Sequence, residues 1–420
     1  MVTRDGGRRL PFQSLTSREW ANLGLVALAA AYVVYAGAWV ARWGLFWEVG
    51  GDFASFWASA EIARAHGFAR VYDLALQAQF QQALLAAHVA KPEVAATSAP
   101  VPTPYLPPFI APFVLLLCLG PAAGFAVWTG LSLLLLAGYL WRLAGCFALP
   151  DRRRLVIVTM LSLPAFSNLF FGQVSAFLVL FTGEFAVGMA KNKDLRAGLW
   201  LSGLLWKPQI LVVLLPGLLI ARQFRVLAGL AIGTAVILAA SLYLAGVEGV
   251  LDLGRLVFSY TSGLPTNSPE SMANWRALAL NLGGFVPQEV AWGLAAVGLV
   301  LTVLVALRLW LPPYRPPAPG NQLLLLATFT ATSAITWHSH VHMALPTAVF
   351  LLAAYGQGLL PRSLVIVWLL LPAPVFLVAC FTATHPMAVG GSAVFLLDMF
   401  LLTWAAMRLL PRPSAARASA

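Results

Sequence analysis

Long apolar runs separated by short polar segments dominate the chain. Runs of about 17–25 residues, the length a helix needs to cross a hydrocarbon core of about 30 Å, fall at 20–43, 122–143, 155–171, 173–190, 226–246, 287–309, 321–337, 341–356, 363–380 and 391–409. Two segments depart from this pattern. Residues 105–119, YLPPFIAPFVLLLCL, are short and proline-rich and predict a half-span or interfacial segment. Residues 197–221 are apolar but broken by KPQ at 207–209, with basic residues at both ends, and predict a re-entrant pair of short helices with Lys207 at the turn. The polar segment 44–104 has a pattern of its own. FASFWASAEIARAHG sets Phe53, Phe56, Trp57 and Ala60 at helical spacing with Glu61 and Arg64 opposite, the mark of a short interfacial amphipathic helix. LALQAQFQQALLAAH at 74–88 predicts a second such helix, and 91–104 a loop. No repeat of 20–50 residues is visible.

Composition turns these runs into a class. Of 420 residues, 60% are hydrophobic and 10% charged, and the mean hydropathy is +0.83. A soluble domain of this size cannot hide so much apolar surface. The expected fold is an all-α polytopic membrane protein of about 11–13 transmembrane segments, with short interfacial helices in the first external loop. Cys118, Cys146 and Cys380 lie in apolar runs without shared spacing, which offers neither a disulfide framework nor a zinc site. The first run is too long for a cleavable signal segment and reads as a retained helix.

Charge then orients the chain. The net charge is +11, but the basic residues sit in short inter-span segments: Arg8, Arg9 and Arg18; 152–154; Lys191, Lys193 and Arg196; Arg222 and Arg225; Arg408, Arg412 and Arg417. That is the positive-inside pattern and gives no reason to expect a nucleic-acid partner. With the N-terminus inside, only Arg42, Arg64, Arg70, Lys91, Lys207, Arg255 and Arg276 fall outside. The expected organisation is a cytoplasmic tail 1–19, one transmembrane domain 20–410 and a cytoplasmic tail 411–420. The external loops 44–104 and 247–286, GQVS at 172–175, Lys207 and HSHVH at 338–342 then face one side, away from the cytoplasm.

Chemistry-bearing residues gather in those external segments. Asp52 follows two glycines and precedes FASFW; it suits a helix N-cap and equally a general base, since burial against aromatic rings perturbs a carboxyl. Lys207 in an apolar stretch is costly; it either snorkels to a headgroup or holds a lipid-linked phosphate. His338, His340 and His342 lack a nearby Cys or acid, so neutral imidazoles bonding a sugar or phosphate are expected in place of a metal site. Arg276 in SMANWRALALNL is a further phosphate contact or an interfacial arginine. Gln173 at a tight turn contacts sugar hydroxyls or satisfies the loop, and Tyr105 anchors at the interface or lines a cavity. Gln209 joins these two as a sugar or acceptor contact. Glu184 and Asp398 lie within spans and pair across helices or sit near ends.

GGDFASFW, YLPPFIAPF, FGQVS, LLWKPQILVVLLP and HSHVHMALP occur in an order that resembles glycosyltransferase family 87, over roughly residues 20–400. The resemblance implies a GT-C fold in the bacterial inner (plasma) membrane, with the active site facing the periplasm. It implies a polyprenyl-phosphate sugar donor, with mannose the expected sugar, and a lipid or glycan acceptor. Transfer would proceed by inversion, without cofactor or metal. Asp52 matches the external-loop acid that serves as base, Lys207 the Lys-Pro element, and the histidines the late His motif. The family often has Asn where this chain has Ser175, and often an acid or Tyr-Asp near His342 and Met343, so sugar and acceptor stay open. In such a single displacement Asp52 would take the proton of the attacking hydroxyl, and Lys207, Arg276 and His340 would stabilise the departing phosphate. A transporter or flippase would instead show inverted repeats and paired broken helices. A non-catalytic polyprenyl-lipid-binding subunit would, like a transporter, tolerate Asp52→Asn.

Overall fold

The computed structural model describes residues 16–90, 101–262, 268–311 and 320–410, without the side chains of 260–262. Most of the expected N-terminal tail, the whole of the expected C-terminal tail 411–420, Lys91 with most of the 91–104 loop, residues 263–267 of the second loop and residues 312–319 lie outside the described residues. Every regular element among the described residues is a helix, and only two isolated backbone bridges occur, Gly44 with Val89 and Met272 with His340. The protein is an all-α polytopic membrane protein.

Six of these helices are long and apolar enough to cross a membrane: Ser17–Trp43, Pro121–Cys146, Phe224–Ser259, Gln288–Trp310, Arg362–Thr382 and Pro386–Leu409. The span expected at 155–171 is a bent pair, Arg152–Met160 and Leu163–Phe171, at 50° to each other. Pro164 explains the break, because proline cannot donate the hydrogen bond that would continue the first helix. Apolar pieces of 10–17 residues complete the body, among them Pro107–Leu119, Ser175–Ala190, Pro208–Ile220 and Gln322–Ile335. At 1.5 Å per residue a 16-residue helix covers about 24 Å, short of the hydrocarbon thickness. Such a helix must be flanked by other protein, and Ser175–Ala190 and Gln322–Ile335 are indeed buried along most of their length. The run at 226–246 continues as Phe224–Ser262, leaving helical geometry at Gly246, so part of the expected 247–286 loop is helix.

The segment after the first long helix builds the floor of the site. α1 (Ser17–Trp43) opens with a capping box between Thr16 and Glu19 and buries only Tyr32, which stacks on Phe166 at 4.0 Å. Leu25, Leu28, Tyr35 and Trp39 pack in part against the core, and the opposite apolar face, with Val26, Val33 and Val34, is exposed. α2 (Gly51–His66) buries the expected Phe53, Phe56, Trp57 and Ala60, and burial extends to Ala54, Ser55, Ala58, Ser59, Ile62 and Ala63. Glu61 is half-buried and Arg64 exposed. The aromatic ring around α2 accounts for this: Phe53 meets Phe125 at 5.4 Å and Phe113 at 6.0 Å, and Phe56 meets Phe113 at 4.9 Å. Each of these buried side chains contributes about 2–3 kcal/mol from apolar burial alone. α3 (Leu74–His88), capped by Asp73, returns to α1, where Ala90 N–H bonds Trp43 O at 2.9 Å.

Glu184 and Asp398, the two acids expected within spans, have structural partners. Glu184 accepts from Arg142, from Arg196 at 2.7 Å and from the Tyr139 hydroxyl at 3.1 Å. Asp398 accepts from Trp368 Nε1 at 2.8 Å. Glu184, the residue most suggestive of an ion pathway, is thus committed to two arginines that bracket its helix.

Candidate active site

A cavity of about 130 Å³ collects residues remote in sequence: Asp52, Ser55, Phe56, Tyr105, Gln173, Lys207, Gln209, His338, His340 and Met343 border it. Three local devices bring them there. The first is the turn before α2. Gly50, at φ 76°, is the N-cap, and its N–H bonds Phe170 O at 2.7 Å. A Cβ there would stand 3.0 Å from Phe46 and 3.2 Å from Phe125. Asp52 is therefore not the cap; it sits in the first turn with its carboxylate directed to the cavity. Gly50 serves the turn and its close packing, while positive φ makes glycine the fitting residue.

The second device is the FGQVS turn. Gly172, at φ 71°, presses against Phe53, where a Cβ would come within 2.6 Å. Trp128 Nε1 donates to Gly172 O at 2.9 Å, and Asn168 holds both Gln173 N–H, through its carbonyl, and Ser175 N–H, through its side chain, at 2.8 and 2.7 Å. This sets Gln173, which is buried, to hydrogen-bond the Asp52 carboxylate.

The third is the Lys-Pro break. Helix Asp194–Leu201 passes through a 3-10 turn, Ser202–Trp206, and stops at Lys207, whose φ of −138° and ψ of 78° are non-helical; Pro208 then starts a second short turn, Pro208–Leu211. Trp206 fixes the break by stacking on Phe109 at 4.8 Å. Lys207 is 6% exposed, which forces its ammonium to find partners inside. Its Nζ donates to His342 Nε2 at 3.3 Å and stands 5.9 Å from the Tyr105 ring centre. Accepting at Nε2 places the imidazole proton of His342 on Nδ1.

The histidine loop faces these groups. His340 and His342 stack at 5.6 Å, and the loop is zipped to the 272–274 segment: Ala273 N–H bonds Ser339 O at 2.7 Å and Asn274 Nδ2 bonds Thr336 O at 2.9 Å. Gln209 Nε2 lies 3.8 Å from Met343 Sδ. His342 stands behind the cavity wall through Lys207. Arg276 also does not border the cavity; it lies over the Trp337 ring at 4.2 Å and acts on His338 and His340 through its charge.

The electrostatics follow from burial and sign. Burial raises the Asp52 carboxyl, and the Gln173 hydrogen bond and the Lys207 charge pull it back down. Burial first, then the Arg276 and Lys207 charges, push His338 down to about 4. Burial first, then Lys207, His338 and Arg276, push His340 down to about 3. Both imidazoles are neutral near neutral pH and able to donate or accept. A residue passed over in the sequence also belongs to this neighbourhood. Glu48, half-buried one turn before Asp52, is raised to about 7 by burial and then by the Asp52 charge. It does not border the cavity, so it is not a group facing a ligand there. The nearest sequence signal was its place within EVGGD. The sequence profile of glycosyltransferase family 87 matches residues 104–336, more than half of the chain. The chain belongs to glycosyltransferase family 87. Tyr105, Gln173, Lys207, Gln209 and Arg276 fall within the matched residues, whereas Asp52 and the three histidines lie outside them. No curated protein and no solved structure gives a significant match. Family membership makes the protein a multi-pass membrane glycosyltransferase that uses a sugar donor and an acceptor.

Proposed function

We propose that the protein transfers a sugar, mannose in the first instance, from a polyprenyl-phosphate donor to a hydroxyl of a lipid or glycan acceptor, with inversion and with Asp52 as general base. The observation that carries this is the gathering of one carboxylate, one buried ammonium and two neutral imidazoles around one small cavity. The acceptor hydroxyl gives its proton to Asp52 as its oxygen bonds the anomeric carbon. The bond from that carbon to the phosphate oxygen breaks, and the electron pair leaves on the phosphate. Lys207 offers the departing oxygen a cation, and His338 and His340 offer N–H donors, while Arg276 adds long-range positive potential. Gln173, Gln209 and Tyr105, which border the cavity, would meet sugar hydroxyls and ring faces. Glu48 does not border the cavity, so among the described residues Asp52 is the one carboxylate on its wall, which favours single displacement over a retaining route.

Sidedness is part of the proposal. Pro121–Cys146 starts beside the cavity, where Phe125 packs on Phe53, and carries Arg142 about 25 Å further along at 1.5 Å per residue. Arg196 and Arg152 cluster at that far end, through Glu184 and through the Trp141 ring. A basic end opposite the cavity supports an extracytoplasmic site. A larger apolar groove of about 710 Å³ between Gln288–Trp310 and Pro386–Leu409, bordered by Trp275, Thr302 and Met399, suits a lipid chain.

Purified protein in nanodiscs, offered a polyprenyl-phosphate sugar or a nucleotide-diphosphate sugar with candidate acceptors, should give product from the lipid-linked donor alone. The anomeric configuration of that product, read by NMR coupling, should be opposite to the donor's. Transfer from the nucleotide sugar, or retained configuration, would sink the proposal. A cysteine in the 191–196 turn should resist labelling by a membrane-impermeant maleimide in intact cells, whereas ready labelling would reverse the assigned side.

A further inference from the structure

One wall of the cavity is irregular backbone. Val101, Pro102, Pro104 and Tyr105 border it, without helix or strand. The alternating prolines leave backbone N–H groups only at 101, 103 and 105 in this stretch. Two of these are taken by amide side chains of α3. Gln81 makes a two-point pairing with Val101: its Oε1 accepts Val101 N–H at 2.8 Å and its Nε2 donates to Val101 O at 2.9 Å. Gln77 Oε1 accepts Thr103 N–H at 3.2 Å, and its Nε2 is anchored on Val71 O at 2.7 Å. The wall is then tied to α2 by Thr103 Oγ1 donating to Ser55 O at 3.3 Å, and to the 3-10 turn Phe68–Tyr72 by Tyr72 OH donating to Tyr105 O at 2.8 Å. Gln77 is 0% and Gln81 5% exposed. Two glutamines buried one turn apart on a helix serve no apolar packing purpose: both amide groups of Gln81 are used on this wall, and Gln77 ties the wall at Thr103 to Val71 O. Removing either one leaves buried backbone groups unpaired, which is costly enough to move the segment.

The position of the wall bears on the chemistry. It borders the same cavity as Asp52 and Lys207, and a sugar bound there has an anomeric carbon that water can attack as well as an acceptor hydroxyl. Keeping water out is what separates transfer from hydrolysis. We propose that Gln77 and Gln81 are positioning residues that hold the 101–105 wall closed and thereby set the ratio of sugar transfer to donor hydrolysis. In hydrolysis a water oxygen bonds the anomeric carbon, the carbon–phosphate-oxygen bond breaks, the electron pair leaves on the phosphate, and Asp52 takes the water proton. The products are free sugar and polyprenyl phosphate. This rests on the transferase function proposed above.

The test uses the full chain in nanodiscs with a polyprenyl-phosphate sugar radiolabelled in the sugar, counting free sugar and glycosylated acceptor separately. Gln81→Leu should lower the transfer-to-hydrolysis ratio about tenfold. Gln81→Glu keeps an acceptor for Val101 N–H but loses the donor to Val101 O, and should fall between Gln81→Leu and wild type. Gln82→Leu, on the exposed face of the same helix, should match wild type. Wild-type ratios in both Gln81 variants would overturn the proposal. If Gln81→Leu fails to fold, the near-isosteric Gln81→Glu alone decides between the same outcomes. A wild-type protein that neither transfers nor hydrolyses would instead remove the transferase function, and with it this proposal, so the two failures are told apart.

Discussion

Asp52→Asn should lower kcat for sugar transfer by about 10²–10⁴-fold, the range lost when a positioned general base is removed. The amide keeps the shape of the carboxyl and one hydrogen-bond acceptor for Gln173, so α2, its aromatic enclosure and donor binding should survive. The loss should therefore appear in kcat with KM for the donor nearly unchanged, the sign of an interaction made in the transition state. The pH dependence carries the same assignment. The base acts deprotonated, so the rate rises with pH through its pKa. Burial lifts that pKa above the ordinary Asp range, while Gln173 and Lys207 hold it down. The acid limb of kcat/KM should thus lie above the usual carboxylate range, and the residual activity of Asp52→Asn should lack that limb. Steady-state assays from about pH 4 to 8 on both proteins check this, and equal turnover on the alkaline side of the limb, where the carboxylate is ionised, would remove Asp52 from the reaction. The same substitution separates the enzyme from a flippase or a lipid-binding subunit, which would keep full function.

Much of the architecture was legible because membrane physics writes it locally. Spans appear as apolar runs, and the break at KPQ appears as a proline and a charge where neither fits a helix interior. The gathering of Asp52, Gln173, Lys207 and the histidine loop was legible only by side: counting arginines put them on one face, but nothing local said that they meet. Their meeting depends on pairings without sequence pattern, such as Met272 with His340 and Gly50 N–H with Phe170 O. The stripe of Phe53, Phe56 and Trp57 was visible, but the burial of the opposite side was not. It arises from Val71, Tyr72, Ile110 and Leu253, which approach from three other segments. The 74–88 segment was read as an amphipathic helix without singling out Gln77 and Gln81, since periodicity cannot tell a solvated amide from one spent on a neighbouring backbone. Arg276, expected at the phosphate, stands behind Trp337 and His338, because the 272–274 segment is zipped along the loop and turns Trp275, not Arg276, toward Gln288–Trp310.

Lys207→Met should reduce kcat/KM for the lipid-phosphate donor by about 10²–10³-fold, the scale of losing one aimed charge or donor from a water-poor site. Methionine conserves the length and the apolar stem, so the stacking of Trp206 on Phe109 and the break at Pro208 should persist. Negative charge on the phosphate grows as the anomeric bond breaks, so most of the loss should fall on kcat. Lys207→Arg should recover part of it, since the charge returns but the planar fork does not fit an ammonium site in a cavity of about 130 Å³. A second readout separates Lys207 from a purely structural role. The ammonium lowers the Asp52 pKa through its charge. In Lys207→Met that help is gone, the carboxylate is held by Gln173 alone, and the acid limb of the pH–rate profile should move to higher pH. An inert or merely structural lysine would leave the limb where it is. A variant with wild-type turnover would show that the phosphate leaves without this cation, and a lowered turnover with an unmoved limb would break the electrostatic link between the Lys-Pro break and the acid at the start of α2.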